Sequence, residues 1–412
     1  MEVIDERTMK IHFLVLGVVF LLLFAGSKAY AARAPIVQSA PAFGAGGLQV
    51  VAPSNPAPVA PFCDSLRQLP LPSGIPTHMF DNIVMFDKYV AYSAVHQQTY
   101  SMHDLLLLDM GNDGRPFTND DAPLQNVPDT MDATIHGLDI SSTNLVWVQD
   151  LPGFPSTELK TCRLPNCELS GTDNIFSQDP RYRLTGPVST SGSKITAAVY
   201  DIVNHNEQVM FCDLSRNGNN GGCLLSDQKS FVNLNLPLNE RISEIKTTEN
   251  YGYIITETQA LVKKVYIVDY TSLAFNLYYD SSVQSQSAFL RDIEPVAQQQ
   301  RGLDVVYMIV RNSLSVDYIF NGNGNFAGRT SLPTNGNAEF LAPNKNTQGL
   351  FEFAYLSQDP RSRTYSLNTF VPNKIYSLDS NTYNQLRVIN YNGMGGFASL
   401  DFNSLPTYTY CR

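Results

Sequence analysis

The sequence predicts an all-β fold, a β-propeller of six to seven four-stranded blades whose ring is closed by its N- and C-terminal strands. Three observations predict it. A unit of apolar strand, polar tip, second apolar strand and Asn/Gly turn recurs seven times between Tyr89 and Phe402. Its interval approaches the 40 to 50 residues typical of a propeller blade. Cys63 and Cys411, the first and last cysteines, stand where a closing staple belongs.

The first unit is Tyr89 to Val95 (YVAYSAV) with Asp104 to Met110 (DLLLLDM), followed by Gly111-Asn112-Asp113-Gly114. The second is Leu145 to Gln149 with Glu158 to Leu164, and the third Lys194 to Tyr200 with Gln208 to Leu214, ahead of an Asn/Gly run at 217–222. A fourth runs Tyr251 to Thr256 with Lys264 to Tyr270. The fifth is Asp304 to Val310 with Ser315 to Phe320, then Asn321-Gly322-Asn323-Gly324. The sixth, Leu350 to Leu356 with Arg363 to Leu367, precedes a degenerate seventh, Leu386 to Tyr391 with Gly396 to Phe402. Markers at Val90, Val146, Ile195, Tyr253, Val305, Phe351 and Val388 lie 56, 49, 58, 52, 46 and 37 residues apart. Short strands between Gly, Asn and Pro turns, without a sustained 3.6-residue period, exclude a helical fold. Stacked β-sandwiches would repeat near 100 residues and need no end-to-end staple.

Ahead of the repeats, Ile11 to Ala25 is apolar, is preceded by Lys10, and is followed by Ala29-Tyr30-Ala31. This layout predicts a secretory signal peptide over 1–31, cleaved before Ala32. The rival, a membrane anchor, needs about 20 apolar residues, more than this run supplies. Residues 32–62 carry Pro35, Pro41, Pro53, Pro56, Pro58 and Pro61 among Ala and Gly, so the expectation there is an extended linker. The folded domain then occupies 63–412.

All six cysteines follow the expected cleavage site, and an even count in an exported chain reads as disulfides, although six cysteines permit 15 pairings. Cys162 with Cys167 and Cys212 with Cys223 are local pairs, which leaves Cys63 for Cys411. Their spacings lack the C-x2-C pairs of structural zinc sites.

The stretches YVAYSAV with DLLLLDMGNDG, LVWVQ with ELKTCRL, and KITAAVY with QVMFCDLSRNG resemble the TolB-like β-propellers, a group found outside the cytoplasm. The likeness covers most of residues 80 to 400 at the level of pattern. It implies a ring fold and a role as an interaction platform.

With 28 Lys and Arg against 38 Asp and Glu the net charge is −10, which lacks the basic surplus that phosphate contacts demand and sets nucleic acid aside as a partner. No G-x-S-x-G, H-E-x-x-H, Walker or Rossmann motif is present. Asp109 to Asp121 (DMGNDGRPFTNDD) places Asp109, Asp113 and Asp120 at the first, fifth and twelfth positions of a calcium-type loop with Gly114 at the sixth, so Ca²⁺ is the one metal expected. Position three is Gly111 and no Glu ends the loop; the plain alternative is a solvated hairpin. His78, His96, His103 and His136 fall in or beside the first two units, where a shared metal competes with ordinary hairpin tips. Trp147, the single Trp, reads as core.

The expected function is a non-catalytic binding module, secreted, periplasmic or at the cell surface, with an envelope or extracellular protein or glycan as partner and no transmembrane span in the mature form. The alternative is a carbohydrate- or peptide-active hydrolase or lyase with acidic residues converging on the channel, a site dispersed over many blades and therefore invisible to motifs.

Overall fold

The computed structural model describes residues 63–64, 67–71, 78–96, 103–128, 130, 133–150, 157–167, 173–176, 181–215, 223, 229–283, 290–298, 303–310, 313–320, 326–332, 336–343, 353–369, 374–378, 388–392, 395–400 and 406–411. The expected signal peptide (1–31) and linker (32–62), and the Asn/Gly runs at 217–222 and 321–324, lie outside them.

After a short strand β1 (Arg67–Gln68), six blades follow in chain order, each an antiparallel four-stranded sheet paired first to second, second to third and third to fourth. Blade 1 is β2 (His78–Phe86), β3 (Tyr89–His96), β4 (His103–Asp109) and β5 (Gln125–Asn126). Blade 2 is β6 (Thr134–Ile140), β7 (Asn144–Asp150), β8 (Thr157–Arg163) and β9 (Asp173–Phe176). Blade 3 is β10 (Tyr182–Ser191), β11 (Lys194–Asp201), β12 (Asn206–Asp213) and β13 (Ser230–Val232). Blade 4 is β14 (Glu240–Thr247), β15 (Tyr251–Thr258), β16 (Lys263–Asp269) and β17 (Phe275–Asp280). Blade 5 is β18 (Leu290–Gln298), β19 (Leu303–Val310), β20 (Ser313–Phe320) and β21 (Phe326–Leu332). Blade 6 is β22 (Asn337–Pro343), β23 (Phe353–Gln358), β24 (Tyr365–Thr369) and β25 (Lys374–Leu378).

Blade 7 breaks the rule. It takes β26 (Val388–Tyr391), β27 (Gly396–Leu400) and β28 (Pro406–Tyr410) from the C-terminus, and its outermost strand is β1 from the N-terminus. Arg67 pairs with Tyr408 and Gln68 with Thr407. The ring therefore has seven blades and is closed by strands from both ends. Just beyond this pairing, Cys63 and Cys411 form a backbone bridge and a disulfide across a sequence separation of 348. Cys162 is joined to Cys167, and Cys212 to Cys223.

The seventh unit needs one correction. In six blades the recurrent pair of strands is the second and third, but Val388 lies on the first strand of blade 7, and its real third strand is β28. That offset of one strand explains the short final spacing of 37 residues.

Packing explains why these strands are apolar throughout instead of alternating. A blade is covered on both faces by its neighbours, so both side-chain sets of a strand are buried. In β3 and β4, Val90, Tyr92, Leu106 and Leu108 pack with Ala398, Leu400 and Tyr408 of blade 7. The intervening Ala91, Leu105 and Leu107 pack with Ile135, Leu145 and Trp147 of blade 2. One apolar cluster of this kind fills each of the seven contacts between neighbouring blades. No helix among the described residues is long and apolar enough to cross a membrane.

Candidate functional site

The first strands of all seven blades line a central cavity of about 610 Å³. This lies within the range of ligand pockets, roughly 300 to 1,000 Å³. Six of the seven, β2, β6, β10, β14, β18 and β22, shift register against the second strand of their blade. Such bulges insert an extra residue and re-aim side chains. His136, Ser243 and Arg291 are the single residues inserted in this way in blades 2, 4 and 5, and all three line the cavity.

The wall is unevenly charged. Blades 4 and 5 contribute Glu244, Lys246, Arg291, Asp292 and Glu294, whereas blades 1 to 3 present Asn82, His136 and Thr185, and blades 6 and 7 present Phe340, Asn390 and Tyr391. Lys246 Nζ lies 2.9 Å from Glu244 Oε1 and donates to Glu294 Oε1 at 2.6 Å. Desolvation pushes the Lys246 ammonium down, but Glu244, Glu294 and Asp292 outweigh it and hold the group well above its ordinary value. Asp292 accepts the N–H of Ile293 through Oδ1 and that of Leu341 through Oδ2, each at 2.8 Å. Desolvation, with Glu294 and Glu244 adding to it, raises its carboxyl to about 7 against the opposing pull of Lys246 and the Leu341 N–H. Arg291 Nη1 lies 3.6 Å from Glu339 Oε1 of blade 6.

Glu294 differs from its neighbours. The residue is 8% exposed, and its Oε2 is buried without a hydrogen-bond partner among the described residues. Opposite in the ring, the His136 Nε2 and Asp150 Oδ2 atoms are 2.8 Å apart. Asp139 of blade 2 also lines the cavity, and its carboxylate takes the N–H of Ile140 and Thr190 and the hydroxyl of Ser189.

The sequence-predicted loop lies elsewhere, between the third and fourth strands of blade 1. Asp109 Oδ1 accepts the Gly111 N–H at 3.1 Å and lies 3.1 Å from Lys88 Nζ. Asp113 Oδ1 accepts the Arg115 N–H, while Asp120 takes the Asn112 N–H and the Thr118 hydroxyl. These carboxylates cap turns, and among the described residues no group of three His, Cys, Asp or Glu is disposed to hold a metal. The loop clasps the closing blade: the Gly114 carbonyl accepts Tyr408 Oη at 2.6 Å and Asn392 Nδ2 at 3.1 Å.

His78 and His96 are directly opposed in the β2–β3 pairing, the side chains of His78, His96 and His103 lie outside the described residues, and His136 lines the channel. Trp147 is fully buried and donates to Gln149 Oε1 at 2.8 Å. Sequence reasoning missed Glu244, Lys246, Asp292 and Glu294; the four-residue runs S-E-I-K at 243–246 and R-D-I-E at 291–294 are the only signal it had.

No family model matches the chain, and no curated protein matches it. Solved structures similar to it include TolB from Acinetobacter baumannii, at 12% identity and a TM-score of 0.36, covering 79% of this chain and 63% of that one. A second is the β-propeller domain of the Trilobed protease from Pyrococcus furiosus, at 7% identity and 0.46, covering 81% and 96%. YCF48 from Cyanidioschyzon merolae is 9% identical with a TM-score of 0.44, covering 84% and 98%. The chain spans less than two thirds of the TolB chain's length. The seven-bladed assignment rests on strand pairing alone.

Proposed function

We propose that the chain is an exported, non-catalytic binding module of the cell envelope or extracellular space, holding a protein or glycan partner at its central channel. The observation that carries this reading is the state of the channel carboxylates. Glu244, Asp292 and Glu294 come from two adjacent blades and gather on Lys246 and on backbone N–H groups, an arrangement that fixes shape and charge. Three disulfide pairs support an oxidising compartment, outside the cytoplasm.

The alternative, a hydrolase or lyase acting on carbohydrate or peptide, is favoured by one feature: Asp292 is held near neutrality beside a second carboxylate, a common condition of general acids. Calcium at Asp109, Asp113 and Asp120 belongs to the proposal as an ion that would replace the N–H donors now bonded to each carboxylate.

Affinity capture by the full chain on envelope extracts and purified glycans, with Ca²⁺ or with chelator, tests these readings. A retained protein or glycan of unchanged mass is the expected result, and its loss with chelator implicates the Asp109–Asp121 loop. Shortened glycan or cleaved protein overturns the binding module in favour of the enzyme.

A further inference from the structure

Blades 4 and 5 place three carboxylates, Glu244, Asp292 and Glu294, around one ammonium, that of Lys246. The neighbouring Arg291 is matched by Glu339, so it does not offset the excess. Glu294 makes the imbalance concrete. Its Oε1 is taken by Lys246, while Oε2 sits buried with no donor among the described residues. An unsatisfied buried acceptor costs about 1 to 3 kcal/mol, more when charged. A donor arriving from outside recovers that cost, and the last torsion of a Glu side chain is soft enough to turn the carboxylate toward it.

Cation recognition is also written in the rest of the wall. Phe340 and Tyr391 line the same passage, and Val84 and Pro187, both partly exposed, add apolar surface to it. A ligand with a methylene stem and a terminal ammonium matches such a passage, the stem lying on the apolar surface and the head reaching the acids. A neutral sugar ring can also lie on apolar surface, but it brings no positive charge to the acids. The acceptors already cradle one ammonium on a lysine stem at 2.6 and 2.9 Å.

We infer that the channel binds a lysine side chain of a protein partner, with Glu294 as the principal acceptor of its ammonium and Glu244 supplying further negative charge. This rests on the binding-module reading and names the chemistry of its ligand.

The test is isothermal calorimetry on the full chain with an N-acetylated, C-amidated Gly-Gly-Lys-Gly peptide, the same peptide carrying acetyl-lysine, and a glucosamine tetramer. The lysine peptide binds, and acetylation weakens it by about tenfold or more, the scale of one charge-assisted hydrogen bond. Glu294→Gln lowers the affinity for the lysine peptide by a similar factor while its melting curve stays cooperative. If that variant does not fold, Glu244→Gln, whose side chain is 42% exposed, carries the same test with a smaller, several-fold loss. Equal affinity for the two peptides, no binding of either, or binding of the glucosamine tetramer alone overturns the inference and leaves the binding module standing. Cleavage of the peptide, seen by mass spectrometry, overturns the binding module itself.

Discussion

The Arg115 guanidinium lies over the ring of Tyr410, 3.6 Å from its centroid, and so fastens a loop of the first blade to the last strand of the chain. The adjacent Gly114 carbonyl accepts from Tyr408 and Asn392, which extends the clasp to β28 and to the turn between β26 and β27. Tyr408→Phe is expected to cost about 1 kcal/mol and Arg115→Ala about 0.5 to 1 kcal/mol in urea unfolding. Hydrogen exchange should show the loss concentrated in β28 and the β26–β27 turn. Unchanged protection there refutes the clasp.

Closure by Cys63 and Cys411 predicts a larger effect. The bridged segment is nearly the whole domain, and removing a native disulfide typically costs about 2 to 5 kcal/mol. A Cys63→Ser, Cys411→Ser double variant should lose stability in that range and expose the β1–β28 pairing first. Peptide mapping without reduction checks the pairing itself.

Blades 4 and 5 share a buried knot. Asp304, fully buried, accepts Thr248 Oγ1 at 2.5 Å, Asn250 Nδ2 at 2.8 Å and Tyr253 Oη at 2.8 Å. Asp304→Ala orphans three donors and is expected to cost about 3 kcal/mol or more, whereas Tyr253→Phe should cost about 1 kcal/mol. Chemical unfolding of both variants measures the difference; equal costs would mean that the carboxylate is not the hub.

Stability should fall with pH because of Asp292. Its folded-state carboxyl, at about 7, lies above the unfolded value near 4, so the folded chain keeps a proton that the unfolded chain has released. The contribution is fully present below about pH 4 and is lost as pH rises through about 7. Glu244 and Lys246 of β14, Arg291 and Glu294 of β18, and the Leu341 N–H and Glu339 of β22 are the groups that bear on it. Asp292→Asn should flatten the decline between about pH 4 and pH 7, measured by thermal melting in matched buffers.

Gly137 and Gly186 bring β6 and β10 together at the channel wall. A Cβ on Gly137 would run into the Gly186 carbonyl, and Gly186 itself has φ +118°, a conformation that side chains disfavour. Gly137→Ala should therefore destabilise the domain by about 1 kcal/mol or more, on the order of an overpacked core site, as chemical unfolding would measure.

What the sequence by itself determined is the ring. Runs such as YVAYSAV and DLLLLDM are continuous because each blade is buried on both faces, and that burial makes the second and third strands of blades 1 to 6 readable. The first strands escaped notice because a bulge in six of them breaks the two-residue period just where they turn side chains to the channel. The seventh blade was readable only in part, since its four strands come from opposite ends of the chain. Only tertiary structure decided the site. Lys246 and Glu294 stand 48 residues apart, and no spacing rule joins them; they meet because adjacent first strands converge on one axis. The Asp109–Asp121 loop was legible as a spacing that suits a calcium ion, whereas its bonds were not: its carboxylates accept turn N–H groups and its Gly114 carbonyl accepts from blade 7, because a nearby donor held by the chain itself satisfies a carboxylate at little entropic cost.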